Sequence, residues 1–270
     1  MNSEKRVDKI IKDIKEIKVQ GAKNIAKVAL KAYFLSPSKK TKTKLLNTRP
    51  TEPMMENVLE LAEQKVPLKQ IRLHFQTAQE EINKFVLKLI KSRDVVFTHC
   101  HSTNVVGALV NAKKKGKNFE VYNTETRPLY QGRKTAKDLK KAKIKVTMFI
   151  DSAMNVALSK ELGTKKVSKI FIGADALVKQ GVINKIGSEM LAILAKKNKI
   201  PFYVVADSWK FSKQKIPIEN RKLNEVWDHA PKKIKIKNPA FEFVPKKYIK
   251  GIITEFGVLS YDKFLKKVGG

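Results

Sequence analysis

From Asp94 onward, short apolar runs alternate with stretches of helical periodicity, and this alternation constrains the fold more than any other feature of the chain. Candidate strands fall at 94–98, 118–123, 145–150, 168–172 and 201–206, with a late one near 250–254. Candidate helices lie between them at 103–115, 134–142, 152–161 and 186–198. Runs such as Val95-Val96-Phe97 and Ile170-Phe171-Ile172 have the pattern of short buried strands. Strands alternating with helices imply a parallel sheet wrapped by helices, a Rossmann-like layer in an α/β fold. Right-handed crossovers put every strand C-terminus on one edge, the edge where open α/β sheets bind ligands.

The preceding part reads as helical. Ile10, Ile11, Ile14 and Ile17 recur at helical spacing, as do Ile25, Val28, Ala29 and Ala32, with Gly21 interrupting between them. Ser36-Pro37-Ser38 breaks the chain, Thr48-Arg49-Pro50 opens another turn, and 54–64 and 68–91 read as two further helices. The expected organisation is a helical N-terminal domain over 1–92 and a Rossmann-like catalytic or ligand-binding domain over 93–270. The segment 211–245, with several prolines and mixed charges, reads as an irregular excursion that covers the site or an oligomer contact.

Charge and composition exclude several classes. No stretch approaches the ~20 apolar residues needed to cross a bilayer. The N-terminus is charged from Glu4 and lacks an apolar signal region, so a cytoplasmic protein is expected. A single cysteine excludes an internal disulfide. The net charge of +32 attracts nucleic acid non-specifically, but the lysines are spread evenly and no RNA-module motif accompanies them. His74 and His229 stand isolated in sequence, and no His/Cys/Asp spacing resembles a metal site. No Gly-x-Gly-x-x-Gly follows the first strand and no Gly-x-x-x-x-Gly-Lys-Ser/Thr occurs, which argues against the common dinucleotide and nucleoside triphosphate sites. Neither a metal nor an organic cofactor is expected.

Two strand ends carry reactive side chains. Cys100 sits in Thr98-His99-Cys100-His101-Ser102, and Asp175 follows Gly173-Ala174. A lone cysteine is more often a small buried hydrophobe, and an aspartate after a strand is often a helix N-cap. Together on one sheet edge, a thiol and a carboxylate could move protons between adjacent carbons of a substrate. Arg127, Arg133, Lys185 and Lys210 also follow strand ends and could clamp anionic oxygens. Any one lysine in so basic a chain is ordinarily a solvated charge; their shared location argues otherwise for the group. Asp151 reads as a cap or a supporting partner.

These motifs, with Thr124-Glu125-Thr126-Arg127-Pro128, Gln131-Gly132, Asn184-Lys185-Ile186-Gly187, Asn238-Pro239-Ala240-Phe241 and Ile253-Thr254-Glu255, resemble the family that holds the α, β and δ subunits of translation initiation factor 2B. The same family includes methylthioribose-1-phosphate isomerase and archaeal ribose-1,5-bisphosphate isomerase, and the motifs look most like the latter. The resemblance implies that Cys100 and Asp175 are a catalytic pair. It implies that Arg49, Arg127, Arg133, Lys185 and Lys210 hold phosphates, that Gly21 and Ala22 offer backbone donors, and that Asn184 orients a hydroxyl. One position departs: the isomerases carry Arg-Gly-Ala near the N-terminus, where this chain has Gln20-Gly21-Ala22. Two readings follow. One is an aldose–ketose isomerase of a ribose 1-phosphate-type sugar, ribose 1,5-bisphosphate to ribulose 1,5-bisphosphate first. The other is a non-catalytic subunit that binds initiation factor 2 or a phosphorylated ligand. Either implies a homodimer or a hexamer. A helix opened by Ser102 or Thr103, and nearby cations, favour thiolate at Cys100 while burial opposes it. The sequence expectation is a moderately reactive thiol, alkylated faster than a model thiol at pH 7.

Overall fold

The computed structural model describes residues 3–218 and 220–269. The chain opens with helices α1 (Ser3–Lys15), α2 (Ala22–Leu35), α3 (Lys39–Leu46), α4 (Pro53–Glu63) and α5 (Leu68–Leu89). Their apolar stripes meet in one core that includes Ile14, Ile25, Leu30, Leu45, Met55, Leu59 and Ile71. Gly21 turns the chain from α1 into α2 at φ 83°, in the left-handed region that suits a residue without Cβ. Ser38 caps α3 by accepting the Thr41 amide at 3.1 Å, and Pro53 begins α4, where its missing N–H costs nothing.

Strands and helices then alternate: β1 (Val95–Thr98), α6 (Thr103–Lys114), β2 (Glu120–Thr124), α7 (Gln131–Lys141), β3 (Lys145–Phe149), α8 (Met154–Ser159) and β4 (Lys169–Ile172). A hairpin of β5 (Ala176–Val178) and β6 (Gly181–Lys185) follows, then α9 (Ser188–Lys197), β7 (Phe202–Val205), β8 (Phe241–Pro245), β9 (Gly251–Thr254), β10 (Gly257–Leu259) and α10 (Tyr261–Lys267). The main sheet has the order β10-β9-β7-β4-β1-β2-β3, parallel except for β10. The second sheet, β5-β6-β8, is antiparallel.

Within the apolar runs, alternate residues face opposite layers. Val95, Phe97, Ile170, Ile172, Phe202 and Val204 pack with Leu191 and Ala195 of α9 and Phe264 of α10. Val96, Phe171, Val205 and Ile253 pack with Ile82 and Val86 of α5, Leu109 of α6 and Leu139 of α7. Helix α5 therefore serves both halves: Ile71 and Phe75 lie in the helical core, and about two to four turns on, Ile82, Val86 and the following Ile90 lie under the sheet.

Two elements differ from the sequence reading. The excursion 211–245 contains β8, which pairs with β6 over five residues from Gly181↔Pro245 to Lys185↔Phe241. Asp175 opens the β5–β6 hairpin; it is not a helix cap, and its amide donates to Ile183 O at 2.9 Å. The strands Ala176–Val178 and Gly181–Lys185 are short, and the second also pairs with β8 some sixty residues away, a partner that no local pattern announces.

Candidate active site

The chain winds from β1 outward to β2 and β3, then returns to β4 on the other side of β1. The β1–β4 boundary is thus where strand order reverses, and loops leaving the two strands diverge there to open a crevice. Cys100 follows β1 and Asp175 follows β4, two strands in direct register through Val96↔Lys169 and Phe97↔Ile170. Gly173 lets the two loops meet: a Cβ there would lie 2.6 Å from the Ser102 side chain.

A cavity of ≈ 470 Å³ occupies this crevice and is lined by both Cys100 and Asp175. Of the other residues read from the sequence, Gly21, Ala22, Arg49, Asn184, Lys185 and Lys210 line it too. Arg49, Asn184, Lys185 and Lys210 are buried. Gly21 and Ala22 form the start of α2, an end that no side chain caps and that lines the cavity. Arg49 is 3.3 Å from Glu52. Lys210 Nζ donates to Ala174 O at 2.6 Å, and Lys185 Nζ lies 4.8 Å from the Phe241 ring centroid. Asn184 Nδ2 donates to Ser188 Oγ at 2.8 Å, which fixes its amide plane.

Arg127 and Arg133 are not among the cavity-lining residues. Both are exposed and lie over the Tyr130 ring, at 5.1 and 3.6 Å from its centroid. Arg127 also donates to Tyr130 Oη at 2.6 Å and Val226 O at 3.0 Å, and Arg133 to Glu125 at 3.0 Å. The cis Arg127-Pro128 bond lies in this loop. In their stead the cavity takes Lys18 beside α1, Gln131 and Lys134 of α7, and Arg221 of the excursion. Of these only Gln131 lay in a motif; the others looked like ordinary surface cations.

Cys100 adopts a left-handed φ of 66°, a conformation that costs a residue with Cβ about 1–3 kcal/mol and persists only where surroundings impose it. Its amide donates to Thr126 Oγ1 at 3.0 Å, and its carbonyl accepts from Thr135 Oγ1 at 2.8 Å. A directed relay supports Thr126. His99 is buried and its pKa is lowered, chiefly by burial, so the ring is neutral. Nε2 lies 2.8 Å from Ile186 O, an obligate acceptor, so the proton is on Nε2. Nδ1 then accepts from Thr124 Oγ1 at 2.5 Å, and Thr124 Oγ1 is 3.4 Å from Thr126 Oγ1. Asp151 holds the same loop, accepting the amides of Thr126 at 2.9 Å and Arg127 at 2.6 Å, the supporting role read from the sequence. His101 lines the cavity; burial, with Lys134 adding, lowers its pKa to about 4, so it too is neutral at pH 7. The hydroxyl proton of Thr135 is taken by Cys100 O, so His101 Nδ1 donates to Thr135 Oγ1 at 3.0 Å.

The ionisation of Cys100 corrects the sequence expectation. Ser102 does cap α6, accepting the Val105 amide at 3.4 Å, and Lys185 favours thiolate. Burial outweighs both, and with Asp175 and Asp151 opposing a second negative charge it pushes the thiol up to about 11.

His74 is likewise not isolated. Its ring stacks on Trp209 at 3.5 Å between centroids, and ligand atoms of His74, Asp207 and Glu255 lie within 4.8 Å of one another. That constellation could hold a metal ion by residue type, but the groups are matched to one another and to Ser208. No helix among the described residues is long and apolar enough to cross a membrane.

Comparison with known proteins agrees with this geometry. The chain is 34% identical to a ribose 1,5-bisphosphate isomerase of Archaeoglobus fulgidus over 91% of its own length and 87% of that protein. It is 40% identical to a methylthioribose-1-phosphate isomerase of Geotalea daltonii over 67% of this chain and 58% of that one. A crystal structure from Pyrococcus horikoshii OT3, described as translation initiation factor eIF-2B, superposes with a TM-score of 0.82 at 26% identity, covering 94% of this chain and 97% of that one. The Initiation factor 2 subunit family matches residues 15–261, and the chain belongs to that family.

Proposed function

We propose that the chain is an aldose–ketose isomerase of a ribose 1-phosphate-type sugar, with ribose 1,5-bisphosphate the first candidate. The observation that carries this is one cavity at the β1–β4 switch that joins Cys100 and Asp175 with the buried cations Arg49, Lys185 and Lys210. The names of the isomerase relatives support the same chemistry.

In the proposed reaction Arg49, Lys185, Lys210 and the Gly21 and Ala22 amides bind phosphate oxygens, and Asn184 orients a hydroxyl. Asp175 gives a proton to the ring oxygen as the C1–O bond breaks. Cys100 removes the C2 hydrogen as a proton, and its electron pair forms the C1=C2 bond of an enol phosphate. Cys100 then returns that proton to C1 while Asp175 takes the C2 hydroxyl proton, leaving the C2 ketone. Both groups end as they began. The pair begins and ends the cycle with one proton, which the reaction needs on Asp175; burial favours the protonated thiol at Cys100 in the resting protein.

The test is phosphorus NMR of ribose 1,5-bisphosphate with wild type and Cys100→Ser, with methylthioribose 1-phosphate run in parallel because Gln20 brings no charge. Loss of the acid–base group should lower kcat by about 10²–10⁴-fold. Wild type no faster than Cys100→Ser on either sugar removes the isomerase reading.

A second reading, a non-catalytic subunit binding initiation factor 2 or a phosphorylated ligand, is favoured by one observation. Gln20 lines the cavity uncharged and donates Nε2 to Ile17 O at 3.2 Å. Absence of turnover, together with an initiation factor 2 complex that survives salt above about 0.3 M, would select it, because non-specific attraction to a +32 chain is screened there. Under either reading we propose a cytoplasmic homodimer through the sheet-bearing half, or a hexamer built from such dimers.

A further inference from the structure

We infer that His74, a residue outside the cavity, is a positioning residue for Lys210; the inference deepens the isomerase reading and rests on it. Lys210 reaches the cavity from a single 3-10 turn, Ser208–Lys210, just after β7. Its ammonium donates to Ala174 O at 2.6 Å, the carbonyl next to Asp175, so the placement of this cation and of the acid–base aspartate are linked. An ammonium has three donors, and the carbonyl takes one. A lysine stem is flexible, so the ammonium is aimed only as well as its backbone root is held.

The root is held by side chains from three other elements. Asn57 of α4 donates to the carbonyls of Trp209 at 2.7 Å and Phe211 at 3.0 Å. Glu255, just past β9, accepts the Ser208 amide at 3.1 Å and the Ser208 hydroxyl. His74 of α5 supplies the third hold in two ways. Its ring lies 3.5 Å from the Trp209 ring at 8° between planes, and its Nε2 is 3.0 Å from Asp207 Oδ1. That same oxygen accepts the Trp209 amide at 3.0 Å, so His74 Nε2–H and the turn's own amide converge on one atom. The stack fixes the height of the turn against α5, and the hydrogen bond fixes its rotation. His74 thereby couples the helical half of the molecule to a cation of the active site.

The test is a double-mutant cycle of His74→Ala and Lys210→Ala, read as KM and kcat for ribose 1,5-bisphosphate and, by calorimetry, as affinity for the same compound. His74→Ala should raise KM about tenfold, the scale of one charge-assisted contact, with a smaller change in kcat. In a Lys210→Ala background it should add less than about twofold, because non-additivity marks groups acting through one another. His74→Phe, which keeps the stack and loses the bond, should lie between wild type and His74→Ala, and it carries the cycle if His74→Ala does not fold. Additive losses, or unchanged KM in both His74 variants, would overturn the inference. So would activity lost to a chelator and restored by Zn²⁺ or Mn²⁺, which would make His74, Asp207 and Glu255 a metal centre. If wild type binds the sugar without turning it over, the isomerase reading fails while the calorimetric cycle still decides the role of His74.

Discussion

At Cys100 the backbone is held in a strained turn by Thr126 and Thr135, and burial keeps the sulfur protonated. Two pH dependences follow, and they separate. Alkylation needs only thiolate, so with a thiol near 11 its rate should lie below that of a model thiol when both are measured at pH 7, and should climb about tenfold per pH unit from 7 to 10. Turnover needs the proton shared with Asp175, not its loss. kcat/KM should therefore stay level within about twofold from pH 7.5 to 9.5 and fall only as pH nears 11. A stopped series of iodoacetamide labelling, beside initial rates in the same buffers, checks both. Turnover that climbs in step with alkylation would show that Cys100 acts as a lone thiolate. Motif position made Cys100 and Asp175 legible in the sequence. The neutral His99 relay and the raised thiol were not, because each depends on which groups fold over the site.

Among the elements, the contact between the loops after β1 and β4 decides whether the pair can work together. Gly173→Ala would drive a methyl to within 2.6 Å of Ser102 Cβ and Oγ, on a buried loop with little room to yield. The expected cost is about 1–3 kcal/mol of stability, read by thermal unfolding, with a fall in kcat larger than in KM because Cys100 and Asp175 are pushed apart. Unchanged kcat would mean that the loops adjust without moving the pair. The main strands and most helices were legible from apolar runs and spacing, with ends shifted by a few residues. The hairpin and β8 were not, because an antiparallel pairing between 181–185 and 241–245 has no local signature in a proline-bearing, lysine-rich stretch. Helix α5 also resists a boundary at residue 92, since its later turns cover the sheet.

For the whole molecule, the sheet ends at β3, an edge strand with Met148 and the following Ile150 exposed, at 46% and 59%. Unprotected edges with apolar side chains invite pairing with another copy. Light scattering should give a dimer or larger species at micromolar concentration, and Met148→Lys with Ile150→Lys should shift it toward monomer without lowering the melting temperature by more than a few degrees. A wild type that is monomeric throughout would remove this interface. The +32 charge bears on assembly as well, since self-repulsion grows at low salt and weakens any contact between copies.

Sequence by itself determined the layer architecture and the sheet edge on which the candidate site lies, because apolar runs of strand length between helical segments leave few other arrangements. It also singled out the proposed central pair, because Cys100 and Asp175 each follow such a run. Tertiary structure alone decided which cations join them. Arg127 and Arg133 follow a strand end as Lys210 does, yet their guanidinium groups find Tyr130, Glu125 and Val226 outside the cavity, while Arg221 and Lys134 come in from segments without a motif. It alone raised the Cys100 thiol and brought His74 onto Trp209. Desolvation and stacking arise from atoms distant in the chain, and no local pattern encodes them.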